Sequence, residues 1–129
     1  MRYLWTLALT AGLLIGCSQE KPRLDEEAPT VEIVRPHHGQ VIPIAEKRMP
    51  VKVTIAENLG LHNYFIWLVE EGGKNTPYLV DKAHVHNRML TIELDFELDE
   101  LEPGPYRLLV DAIDHDYNRT EISVLIELQ

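Results

Sequence analysis

Two histidines separated by one residue, His84 and His86, are the arrangement in this chain best suited to chemistry. Side chains alternate along an extended segment, so the two imidazoles share one side about 7 Å apart, near enough to lean onto one ion. His62 and His115 complete a set of four of the six histidines if the fold gathers the turns that carry them. Asp114, Asp116 and Asn118 flank His115 and add oxygen donors at the same end. Imidazoles suit Zn or Cu, whereas Ca would need the carboxylates to dominate. The plain alternative is a group of solvated loop histidines among turn-forming Asp and Asn, since neither a His-x-x-x-His spacing nor a cysteine ligand accompanies them. His37 and His38 stand in a separate Pro-His-His-Gly turn and read as ordinary turn residues.

Other chemistries have less support. The only serines are Ser18 and Ser123, and neither sits in a nucleophile motif such as Gly-x-Ser-x-Gly. The neighbouring carboxylates Glu70-Glu71 and Glu26-Glu27 would point to opposite sides of an extended chain, not onto one substrate. A small β-domain without inserted loops offers no large cleft, so the expectation is a protein that is not an enzyme.

The single cysteine, Cys17, closes an apolar run over 4–15 that follows Met1-Arg2 and is too short to span a bilayer. Leu14-Ile15-Gly16-Cys17 resembles the lipobox of bacterial lipoproteins. The resemblance implies a signal peptide over 1–16, lipidation of Cys17, and a tether over 17–29. With Ser18 in place of the aspartate that would resemble an inner-membrane retention signal, it implies an outer-membrane position in the cell envelope. Two or three acyl chains would hold the chain to the membrane stably. The sequence has 12 Lys+Arg against 21 Asp+Glu, and loss of Arg2 with the signal peptide leaves 11 against 21, a formal charge of −10. Such an acidic chain repels nucleic acid, which is excluded as a partner.

Elements that could position these residues are read from alternation. Residues 30–35 and 41–44 form an interrupted edge strand, broken by Pro36; 50–57 alternates Val51, Val53 and Ile55 with Lys52 and Thr54. The run 61–71 is apolar on both faces. Register with the neighbouring strands puts Tyr64, Ile66 and Leu68 inside, and a one-residue slip would instead bury Trp67. A short strand over 76–81 follows, 82–87 crosses the top, and 89–98 alternates Leu90, Ile92, Leu94, Phe96 and Leu98 with charged residues and Thr91. Tyr106, Leu108, Val110 and Ala112 alternate after a Pro-Gly turn, and 120–128 closes the chain with Ile122, Val124 and Ile126 inward.

Leu101-x-Pro103-Gly104-x-Tyr106 resembles the tyrosine corner of immunoglobulin and fibronectin type III domains, and the pattern over 29–129 resembles the small immunoglobulin-like lipoproteins of bacteria. The implied fold class is all-β: a single immunoglobulin-like antiparallel β-sandwich of seven to eight strands over 30–129. Tyr117 stands where such domains often have glycine. In this fold 61–71, 104–114 and 120–128 share one sheet, in the C, F and G positions. Phe65, Trp67, Val69, Leu109, Ile113 and Leu125 then point outward together, on a face expected to dock an envelope protein partner or a second copy as a homodimer. The main functional expectation is therefore a lipid-anchored binding module. Its alternative is metal capture or sensing by His62, His84, His86 and His115, with Zn or Cu as the only cofactor.

Overall fold

The computed structural model describes residues 23–73 and 76–129. Eight strands appear: β1 Thr30–Arg35, β2 Gln40–Ile42, β3 Arg48–Ala56, β4 Leu61–Glu70, β5 Tyr78–His84, β6 Met89–Glu97, β7 Gly104–Asp114 and β8 Arg119–Leu128. They form two sheets, β1-β3-β6 and β2-β8-β7-β4-β5. Every pairing is antiparallel except that of β2 with β8. This is an all-β sandwich. No helix among the described residues is long and apolar enough to cross a membrane, and the lipobox with Cys17 lies outside the described residues.

Alternation dictates the core. Met49, Val51, Val53 and Ile55 of β3 face Tyr64, Ile66 and Leu68 of β4 and Tyr106, Leu108, Val110 and Ala112 of β7, all buried. Each large side chain removed from water contributes about 1.5–3 kcal/mol, which is why one inward stripe per strand suffices to hold two sheets together. The register of β4 is the one that buries Tyr64, Ile66 and Leu68 and leaves Trp67 on the outer face. The corner forms as its sequence implies: the Tyr106 hydroxyl donates to the Glu102 carbonyl at 3.0 Å while its ring is buried.

Two details differ from the sequence expectation and bear on the site. The strand read as 76–81 runs on to His84, pairing Asn63 with His84, so only 85–88 crosses the loop end. β4 also carries an extra residue near its start: Leu61 pairs with Asp114 and Asn63 with Ile113, leaving His62 as the bulged residue. A bulge of this kind re-aims the side chain it carries.

Candidate functional site

Three loops meet at one end of the sandwich. The turn after β3 ends in Gly60, whose φ is +138 and where an added Cβ would lie 3.0 Å from the His86 carbonyl oxygen; only glycine allows this close approach. Hydrogen bonds from Glu57 N to Arg88 O (2.8 Å) and from Leu61 N to Asn87 O (3.0 Å) fasten the same turn to the β5–β6 connection. The β7–β8 turn winds around the buried Asp114 carboxylate, whose Oδ1 accepts from the backbone amides of Asp116 and Asn118, both at 2.8 Å. That turn projects His115 into solvent.

These loops bring His62, His84, His86 and His115 together. Ring centroids lie 4.6 Å apart for His62–His84, 4.8 Å for His84–His86, 5.1 Å for His86–His115 and 4.7 Å for His115–His62, so the four imidazoles close a circuit. His62 Nδ1 and His115 Nδ1 approach to 3.1 Å, and His86 Nδ1 lies 3.0 Å from His115 Nε2. Such contacts require one nitrogen of each pair to carry a proton and the other a lone pair, a condition that two charged rings facing each other cannot meet. His62 accordingly has its pKa lowered, first by desolvation and then by repulsion from His84, His115 and His86.

Asn63 is a contributor that the sequence reading missed. Its Oδ1 lies 3.0 Å from His84 Nδ1. An amide oxygen only accepts, so Nδ1 of His84 carries the proton and Nε2 is left with the lone pair a metal needs. The signal for this was cross-strand pairing of Asn63 with His84, which depends on a β5 longer than the one read from sequence. Asp114, grouped with the histidines in the sequence reading, is instead turned inward and used by its own turn. His37 and His38 lie in the β1–β2 connection, where His38 Nδ1 accepts from Leu125 N at 3.3 Å.

The six residues expected to form a docking face do share the outer side of the larger sheet. Phe65 and Trp67 lie nearly parallel, centroids 6.4 Å apart, and Trp67 is opposite Leu109. Val69, Ile113 and Leu125 are, like them, half-buried. Polar pairs interleave them: Arg119 makes a two-pronged contact with Asp111 (2.6 and 2.9 Å), and Arg107 bonds Glu71 at 2.6 Å and Ser123 at 3.1 Å.

No family model matches the chain, and no curated protein matches it. Solved structures do. The superoxide reductase (neelaredoxin) of Ignicoccus hospitalis aligns with a TM-score of 0.51 at 12% identity, over 80% of this chain and 81% of that one. The endo-β-1,4-mannanase of Thermotoga petrophila aligns at 0.58 and 10% identity over 81% of this chain, which spans only 20% of that protein. OgpA of Akkermansia muciniphila aligns at 0.51 and 11% identity, over 81% of this chain and 30% of that one. At such identity the likeness is one of fold. It nevertheless corrects the expectation of a non-enzyme: a sandwich of this size, matched over four-fifths of both chains, is the fold of a superoxide reductase, so small size and plain loops are no argument against catalysis.

Proposed function

We propose that this domain binds a transition-metal ion, Zn or Cu, through His62, His84, His86 and His115, and serves metal capture or sensing in the cell envelope, held there by lipid on Cys17. The observation that carries the reading is the closed circuit of four imidazoles with nitrogen pairs at 3.0 and 3.1 Å. Bonds of 2.0–2.1 Å to a tetrahedral ion place ligand nitrogens about 3.3–3.4 Å apart, so His62 and His115 need to part by only a few tenths of an ångström. The two short contacts use opposite nitrogens of His115, so one ion takes one of them and the exposed His86 ring comes in by turning. His84, with its proton held at Asn63, keeps Nε2 for a metal, and rotation of the exposed rings must bring a third nitrogen within reach of the ion.

The test is calorimetric titration of the full chain in detergent with Zn and with Cu. A saturable site is expected, with affinity falling at least tenfold in His84→Ala/His86→Ala. Equal binding by parent and variant would remove the cluster from the proposal.

A further inference from the structure

Beyond the histidines, we propose a second metal site of different chemistry: Asp25, Glu57 and Asp114 bind calcium and thereby clamp the segment ahead of β1 onto the loop end of the sandwich. One carboxylate oxygen from each of the three lies within 4.8 Å of the others. Asp114 is 1% exposed and Glu57 6%. Glu57 Oε2 accepts from Leu59 N at 2.7 Å and from Gly60 N, whereas Oε1 is buried and has no hydrogen-bond partner among the described residues. Salt bridges among the described residues use other carboxylates, so no lysine or arginine offsets these three. A buried carboxylate oxygen without a donor is expensive, and more so with two like charges beside it. A divalent cation removes both penalties together.

The donor set selects the ion. All three ligands are oxygens, the preference of hard cations. Three carboxylates carried on three separate segments suit the flexible shell of six to eight oxygens that Ca takes, whereas Mg demands a near-octahedral shell and gives up its waters reluctantly. The remaining contacts of Asp25 show what the ion would secure. Its amide donates to Asp116 Oδ2 at 2.9 Å, its Oδ1 accepts from Asn58 Nδ2 at 3.0 Å and from Glu27 N at 3.1 Å, and its carbonyl accepts from Asn118 Nδ2 at 2.8 Å. The segment is thus laid across both the β3–β4 and β7–β8 turns by exposed and half-exposed hydrogen bonds, and calcium adds a charged fastening where those bonds converge. Extracellular modules bind calcium with Kd of about 10⁻⁴–10⁻³ M, the range expected for three carboxylates on loops.

The experiment compares the full chain in detergent with Ca, with Mg and with EGTA. Calcium is expected to raise the thermal midpoint and to slow trypsin cleavage after Arg23 by tenfold or more, with Mg much weaker. Asp25→Asn, outside the sandwich core, is expected to fold as the parent does and to lose at least tenfold in calcium affinity; Glu57→Gln, whose amide oxygen can still accept from Leu59 N and Gly60 N while its NH2 takes the place of Oε1, is expected to lose the calcium response outright. His86→Ala should retain it, which separates this site from the histidine cluster. A midpoint and cleavage rate indifferent to Ca and EGTA, equal action of Mg and Ca, or parent-like affinity in Asp25→Asn would each overturn the proposal.

Discussion

His62 and His115 face each other Nδ1 to Nδ1 at 3.1 Å, across the point where β4 carries one residue more than β7. The relationship is unusual for a ladder, in which successive side chains point to alternate faces. Leu61 and Tyr64 both face the core although three residues apart, so no single alternation runs through His62, and the bulge takes up the odd residue. With it, the ring is thrown to the loop end, where the Asp114-centred turn presents His115.

Because His115 touches both His62 and His86, its removal should do the most damage to metal binding. His115→Ala is expected to weaken Zn binding by 10–100-fold or more, the range seen when a ligand or its supporting partner is lost. His38→Ala, with its ring in the β1–β2 connection, should bind as the parent does. Equal losses in the two variants would show that binding is spread over the surface.

The lowered pKa of His62 gives stability a pH dependence with a definite sign. Above the ordinary value of 6.5 the ring is neutral in both folded and unfolded chains and contributes nothing. Below 6.5 the unfolded chain takes the proton first, so stability falls with pH until the depressed folded-state value is passed. In metal-free protein, the His62 ring resonances should titrate with a midpoint below 6.5. The drop in urea midpoint on acidification should be smaller in His62→Gln. A titration midpoint at or above 6.5 would show that desolvation and repulsion from the neighbouring rings do not act on His62.

Tyr106→Phe removes the bond to the Glu102 carbonyl with little change in volume. The carbonyl at the turn loses its partner, and a loss of about 1 kcal/mol follows, read as a lower urea midpoint at unchanged slope.

Tyr117 is 81% exposed and held at φ +66, a left-handed conformation that strains any residue with a Cβ. Tyr117→Gly relieves about 1 kcal/mol of strain, partly offset by the greater freedom of glycine in the unfolded chain. The expected outcome is a small gain, up to about 1 kcal/mol, in thermal or chemical unfolding. A clear loss would mean that the ring itself has a packing role.

Replacement of Cys17 tests the tether. Cys17→Ala should move the protein from the membrane to the soluble fraction, and retention in the membrane would require another anchor.

Alternation alone placed Val51, Val53 and Ile55, and likewise Leu108, Val110 and Ala112, in the core, because a strand has a period of two and one side must leave water. The tyrosine corner was equally legible, since its donor and acceptor lie four residues apart in a Pro-Gly turn whose geometry is local. The sequence also marked His62, His84, His86 and His115 as residues that a sandwich would collect at one end, but not how they would meet. Their contacts depend on a bulge at His62, on three further residues of pairing in β5, and on Gly60 admitting the His86 backbone. Asp25 and Glu57 carried no pattern at all: one reads as tether and the other as the end of a strand. Only the fold sets them beside Asp114, because proximity between distant segments follows from strand pairing and the summed packing of both sheets, which no local period records.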